Sequence, residues 1–575
     1  MNEELAPNKL LDSDPWAILL TTVKKIKDAV HKSIMLTELE TKIIDSEQFQ
    51  RLRHIKQTGP AYLLYPTALH TRFDHSIGTL HVAQLMVSSI NKSERIPLLS
   101  GRDVFIIRLV ALLHDLVHLP FGHTLEDEGR LFTSKQWQSK IRQGKFFEPV
   151  AEIIREGVIS SFTRCGKENE GKLQSKLVVE QIRQTLIAEE DGNVEGLDAP
   201  YVADIVGNTI CADLLDYVSR DVFFCGLSGG YDELIFFYMT LKEIPNKKGE
   251  LKKRLVIRLF KQGKKEIEIR PDVLTALVDL LRLRYSIGER VYYHHTKREA
   301  SAMLVKMVAA GMEAGLVTEE MLCEHSDDSL LYFVRKFEKD EALEEAQLPL
   351  DVAQKLEKCF SGRKLYKPVY KLSIVDYSQS DKINELINDW KKRYDTEEKL
   401  CELVGLEHGD ILIYVPSERM GAKQADALVQ VPFKFDGGAD ICTLNQLANK
   451  RVKDANLQDI VDVLKAELEA LENKHRVLWK LSVFVHPRIK ETPQAAELST
   501  LCEQWFNNKA QFELVHRLSE KQGIQLNSTA ISAICEQATS TVHASDAMSR
   551  PGDETLLSRY CDTIETLISL KKRQA

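Results

Sequence analysis

The ten residues Val104-Phe105-Ile106-Ile107-Arg108-Leu109-Val110-Ala111-Leu112-Leu113 carry one charge among nine apolar side chains, and they run straight into His114-Asp115. A stretch this apolar reads as a buried helix. Setting an imidazole and a carboxylate in it costs free energy unless something compensates, and a divalent cation would do so. His114 and His118 are four apart, so the same helix is expected to turn both toward one pocket, and Pro120 ends it.

The other histidines sharpen this reading. Of sixteen, His31, His54, His70, His75, His81, His114, His118 and His123 precede Thr124, and none falls between Thr124 and Tyr293. His75 sits in His70-Thr71-Arg72-Phe73-Asp74-His75-Ser76, just before a helix carrying Ile77, Leu80 and Val82. Asp213 sits in Ala212-Asp213-Leu214-Leu215-Asp216-Tyr217, with Tyr217 on its face and Arg220 one turn beyond. Taken singly, His75 or Asp213 reads as a helix cap or a satisfied core group. Taken with His114-Asp115, they form a mixed imidazole and carboxylate set suited to Mn, Fe, Zn or Ni, and to Mg if water fills the remaining positions.

Composition excludes several classes of function. With 43% hydrophobic and 28% charged residues the chain is an ordinary globular one, and its 575 residues correspond to roughly three or four domain-sized units. No segment approaches the roughly 18 to 20 uncharged apolar residues that span a bilayer, and Met1-Asn2-Glu3-Glu4 lacks the basic-then-apolar order of a secretory signal. A cytoplasmic protein without a membrane role is expected. Ten cysteines with no C-x-x-C spacing indicate neither a zinc ribbon nor a disulfide framework. The net charge of -8 disfavours broad nucleic-acid coating and leaves room for small anionic ligands.

The pattern along the chain is mainly α. Residues 1–44 read as an N-terminal arm and 45–340 as a helical domain. Within that domain, Leu255-Val256-Ile257 and Ile267-Glu268-Ile269 flank Gln262-Gly263-Lys264 as a β-hairpin. Residues 341–494 read as a smaller α+β lobe, with β-rich runs at 369–375, 410–415 and 478–485. A helical tail follows over 495–575, marked by Leu501, Trp505, Phe512, Leu514 and Val515.

The order His75, His114-Asp115, Asp213 follows Gln50-Arg51-Leu52-Arg53-His54-Ile55-Lys56-Gln57 and surrounds His118-Leu119-Pro120-Phe121-Gly122-His123. In these motifs the chain resembles the HD-domain phosphohydrolase superfamily, and within it the deoxynucleoside triphosphate triphosphohydrolases, over about Lys24 to Lys297. The resemblance implies an HD-type helical fold, a divalent metal held by His75, His114, Asp115 and Asp213, and hydrolysis of dNTPs to deoxynucleoside and triphosphate. It implies that Arg72, His118 and His123 contact phosphates or carry protons, with Glu126 orienting its neighbour. Gln57 and Asp221 match positions that read the sugar 3′-hydroxyl, Tyr217 and Tyr292 aromatic positions near the sugar, and Arg284 a position on the triphosphate. Lys24, Asp45, Gln50 and Arg53 match a regulatory nucleotide site at a subunit interface, which implies a homo-oligomer, a dimer or a tetramer. Control of the dNTP pool, including defence against an invading replicator, would be the biological consequence.

Two departures qualify the match. A phosphate-contacting lysine of the family is Leu214 here, and no second histidine follows in Thr124–Lys135. General-acid help is worth roughly 10² to 10⁴ in rate, so that loss bears on turnover. A phosphodiesterase or nuclease using the same ligands, with the lysine-rich segment around Lys247–Lys265 gathering nucleic acid, is the alternative favoured by Leu214. A non-catalytic nucleotide sensor is the one favoured by the absent histidine.

Overall fold

The computed structural model describes residues 13–132, 135–262, 267–337, 347–373, 381–416, 426–432, 440–452, 455–506 and 563–569, with isolated positions between the last two ranges. Three helices organise the interior. Helix α1 (Arg72–Lys92) begins where the Thr71 hydroxyl accepts from the Asp74 amide and the Asp74 carboxylate accepts from the Thr71 amide. Ser100 and Asp103 cap α2 (Gly101–Leu113) in the same reciprocal way, each box satisfying two donors that a helix start would otherwise leave bare. Helix α3 (Ala212–Phe224) packs on α1, which also packs against α2.

Every residue from Phe105 to Leu113 is buried, as the apolar run requires. Its one cation survives there because it is fully engaged. Arg108 donates to both oxygens of Glu40 at 2.6 and 2.7 Å, to Gln84 Oε1 at 2.8 Å and to the Met35 carbonyl at 3.1 Å. Met35 and Glu40 belong to the segment read as an arm. Strands β1 (Thr22–Asp28) and β2 (Lys32–Thr37) form an antiparallel hairpin followed by a helix over Glu38–Ile44, and Ile34, Leu36, Leu39 and Ile43 are buried in the main core. The described part of the arm is thus built into the domain.

The expected hairpin is real in kind and different in pairing. Leu255, Val256 and Ile257 lie in β4 (Leu251–Arg258), which pairs with β3 (Met239–Pro245) in the register Leu241↔Leu255, Thr240↔Val256 and Met239↔Ile257. The run Ile267–Ile269, strand β6, pairs instead with β5 (Phe260–Gln262). Asn246 turns the larger hairpin, its side chain accepting from the amides of Lys248 and Glu250. The smaller hairpin's turn residues, Gly263 and Lys264, lie outside the described residues.

The three β-rich runs farther on become β7 (Lys367–Ser373), β8 (Ile411–Tyr414) and β11 (Lys480–Val485), an antiparallel sheet in the order β7-β11-β8. Residues Leu481, Val483 and Val485 face a second core with Ile411, Ile413 and Leu498, while Leu412, Tyr414 and Phe484 face the first, the alternation a strand imposes. Strands β9 (Leu428–Gln430) and β10 (Ile441–Thr443) join β3 and β4 in the order β10-β9-β4-β3, with β9 parallel to β4. The lobe and the helical domain therefore share a sheet. A helix over Pro493–Phe506 buries Leu501; Phe512 and Leu514 lie outside the described residues, as does the side chain of Trp505.

The fold is mainly α, as the periodicity implies. No helix among the described residues is long and apolar enough to cross a membrane. The eight described cysteines are free, and seven are buried packing residues.

Candidate metal centre

Four side chains from three segments converge at the junction of α1, α2 and α3. His75 lies in the first turns of α1, His114 caps the C-terminal end of α2 with Asp115 after it, and Asp213 opens α3. His75 Nδ1 is 2.7 Å from Asp216 Oδ2, and His114 Nδ1 is 2.8 Å from the Ala111 carbonyl. Both partners accept, so each neutral ring keeps its proton on Nδ1 and turns an Nε2 lone pair inward. The two Nε2 atoms stand 3.2 Å apart. Asp213 Oδ1 is 2.9 Å from one and 3.8 Å from the other, and Asp115 places its oxygens 3.6 and 3.8 Å from them.

Lone pairs and carboxylates gathered this closely repel one another without a positive charge among them, and the inner-acceptor, outer-donor arrangement is that of metal-ligating histidines. The residues present fit a divalent cation. In its absence a proton on His75 Nε2 takes the same role: burial lowers the His75 pKa, but the carboxylates of Asp213, Asp216 and Asp115 outweigh burial and push it up to about 10. Access is from the Asp213 side, where that side chain is 34% exposed against 1% for His75.

His118 does not share a helix face with His114. Helix α2 stops at Leu113, and the chain turns over 114–117 because side chains capture the carbonyls that a longer helix would use: Trp137 donates to the His114 carbonyl at 3.0 Å and Arg51 to that of Leu116 at 2.9 Å. The turn still returns His118 to the pocket. Its Nε2 is 3.0 Å from Asp115 Oδ1 and its Nδ1 2.6 Å from Glu126 Oε2. Burial and Arg72 lower the His118 pKa, yet Glu126 and Asp115 outweigh them and raise it above the usual histidine value. Glu126 would be raised by burial, but His118 and Arg142 hold it well below the carboxylate range, and Arg142 Nη1 donates to it at 2.7 Å. His118 is therefore clamped between two carboxylates that favour its imidazolium form.

Arg72 donates to Asp115 Oδ2 at 2.7 Å, while its Nε and Nη2 are buried without hydrogen-bond partners. It fits only because residue 122 is glycine: a Cβ there would lie 2.4 Å from Arg72 Nη2, and φ is +45°. His123 stands at the rim, 55% exposed, its ring centroid 4.8 Å from that of His118 and its Nδ1 2.5 Å from Asp127.

Residues 72–221, which contain all four converging ligands, match the HD domain model, and residues 252–435 match the HD associated region. The chain therefore carries an HD domain followed by an HD associated region. An uncharacterized protein of Methanocaldococcus jannaschii is 31% identical over 54% of this chain and 55% of its own. The deoxynucleoside triphosphate triphosphohydrolases of Danio rerio and Homo sapiens are 26% and 28% identical, covering 49% and 48% of this chain and 44% and 43% of theirs. The chain spans about half the length of the curated relatives it matches.

The remaining expected residues fall in three groups. Asp221 accepts from the Tyr292 hydroxyl and lies 2.7 Å from His70 Nε2. Gln57 is tied to that group through its amide, 3.0 Å from the His70 carbonyl, and its side-chain Oε1 is buried without a partner. Tyr217 and Arg284 lie together beside Asp213: burial raises the Tyr217 pKa, and Tyr217 and Asp213 raise that of Arg284. Lys24, Asp45, Gln50 and Arg53 form the third group, away from the ligands. Lys24 Nζ is 3.7 Å from Asp45, Arg53 Nε donates to Gln50 Oε1 at 2.8 Å, and Gln50 donates to the Ile44 carbonyl at 2.7 Å. Leu214 is buried in the core.

Sequence reasoning passed over Asp216, Asp28, His31 and Arg142. The signal for Asp216 was present in the three-residue spacing Asp213-x-x-Asp216 on one helix. That for His31 and Asp28 was not, since only tertiary packing brings the hairpin to α3.

Proposed function

We propose that this chain is a metal-dependent phosphohydrolase that converts dNTPs to deoxynucleoside and inorganic triphosphate. The observation that carries the reading is that one carboxylate, Asp115, joins the inward-facing metal set to the His118 imidazolium and to a guanidinium with two uncommitted nitrogens. Similarity to relatives named as dNTP triphosphohydrolases supplies the substrate class.

A bound divalent ion supplies Lewis-acid polarisation of a phosphate and a water acidified enough to attack it. The chain's own residues do the rest. Arg72 offers Nε and Nη2 to non-bridging phosphate oxygens, and Arg284 meets the distal phosphates at the open side. His118, whose imidazolium form the flanking carboxylates of Glu126 and Asp115 favour, donates its Nε2 proton toward the departing oxygen, and Glu126, fixed by Arg142, holds the ring for that transfer. Gln57 Oε1 and Asp221 receive the sugar hydroxyl, with Tyr217 and Tyr292 walling the sugar. With the second family histidine absent, His118 and the rim His123 are the proton carriers at hand. Lys24, Asp45, Gln50 and Arg53 take a regulatory nucleotide that a second copy of the chain completes, because the first two are half exposed.

The test is to strip the protein with chelator, reload it with Mn, Fe, Zn, Ni or Mg, and incubate it with each dNTP, alone and with GTP or a second dNTP. Triphosphate and deoxynucleoside in equal amounts are expected. Pyrophosphate as the product, or no triphosphate under any combination, overturns the proposal.

A further inference from the structure

One imidazole in the centre is held from both sides by a single helix. Asp213 and Asp216, three residues apart on α3, address opposite nitrogens of His75: Asp213 Oδ1 lies 2.9 Å from Nε2 and Asp216 Oδ2 2.7 Å from Nδ1. Asp216 is fully buried, and each of its oxygens has two partners. Oδ2 also accepts from Arg220 Nε at 2.9 Å, while Oδ1 accepts from Arg220 Nη2 at 2.9 Å and lies 2.5 Å from His31 Nε2. The clamp reaches the β1–β2 turn, where Asp28 accepts from Arg220 Nη1 at 2.9 Å and from the amides of Val30 and His31 at 3.0 and 2.7 Å. Gly78, one helical turn beyond His75, makes the approach sterically feasible: a Cβ there would stand 1.9 Å from Asp216 Oδ1.

We infer that Asp216 and His31 are positioning residues for the metal centre, and that the turn of the N-terminal hairpin thereby sets the affinity for the ion. The inference rests on the metal reading above. A carboxylate that accepts from Nδ1 fixes the ring's tautomer and orientation and makes Nε2 a better donor to a cation. A carboxylate can swing on its own bonds, so Asp216 holds the ring only as firmly as Asp216 itself is held. Arg220 fixes it from α3 and His31 from the hairpin, 185 residues away in sequence. Arg220 alone would leave Oδ1 open on the side facing the hairpin. His31 closes that side, and Asp28 keeps His31 in place through its backbone amide rather than its ring.

The experiment uses the full chain stripped with chelator and titrated with cobalt(II), following the visible ligand-field bands and competition with a chelator of known affinity, with circular dichroism as a check on folding. Asp216→Asn is expected to bind cobalt 10- to 100-fold more weakly, with altered bands. His31→Gln leaves the Asp216–Arg220 pair intact and covers the case in which Asp216→Asn does not fold; a three- to tenfold loss is expected. Cobalt affinity within twofold of wild type and unchanged bands in His31→Gln, or in a folded Asp216→Asn, overturns the inference. If wild type and His114→Ala bind cobalt equally, the metal reading itself has failed, which is a separate outcome.

Discussion

Two histidine clusters share this pocket, and both could hold a metal by distance alone: His75, His114 and Asp213 in one, His118, His123 and Glu126 in the other. Their outer hydrogen bonds separate them. In the first, acceptors occupy the Nδ1 atoms and leave the Nε2 lone pairs facing each other; in the second, both nitrogens of His118 rest on carboxylates. The first arrangement converges on a place for a cation between its rings, whereas in the second the carboxylates close on the His118 ring itself. What an imidazole can do is therefore set less by its neighbours inside the cavity than by what stands behind it.

The difference can be broken most directly at His114. His114→Ala is expected to abolish stoichiometric metal binding, measured by elemental analysis after desalting, and to reduce turnover by at least about 10³-fold, since Lewis-acid stabilisation is worth several kcal/mol. Retained metal would merge the two clusters into one kind. A smaller effect is expected at the second: His118→Gln should keep the metal and lose about 10² to 10⁴ in kcat, with KM little changed. Loss of metal in that variant would make His118 a ligand.

The smallest effect lies in pH. The folded pKa of His118 is raised above its unfolded value of about 6.5, so the stability it contributes is whole below about pH 6.5 and is lost as pH rises through the folded value. His75 behaves alike in metal-free protein, up to about 10. Glu126 is depressed, so its contribution is whole above about pH 4.5 and is lost only in strong acid. The melting temperature of chelated protein should fall between about pH 6.5 and 10, and bound metal should blunt the His75 share of that fall. A flat profile for chelated protein would show that neither ring carries the proton assigned to it.

Much of this was legible from the chain. An apolar run ending in His-Asp, eight histidines before Thr124 and the His75 and Asp213 segments located the centre, because burying such groups together has few physical solutions. The turn at 114–117 was not legible, since Arg51 and Trp137 end the helix from distant parts of the chain. The pairing of β4 was misassigned for a related reason. Met239-Thr240-Leu241 is too short an apolar run beside a helical segment to announce a strand, and Ile267–Ile269 offered a nearer partner. Asp28 closes β1 and His31 lies on the turn that follows, with no alternation to mark either as part of a site.

The parallel register of β9 on β4 has a practical consequence for anyone wishing to work with the amino-terminal portion alone. Cutting at the apparent boundary near residue 340 would strip β4 of its second neighbour at Ile257 and Arg258 and leave an unpaired edge there, an invitation to intermolecular strand addition. Such a fragment would hold all four converging side chains of the candidate metal centre and still be prone to precipitate.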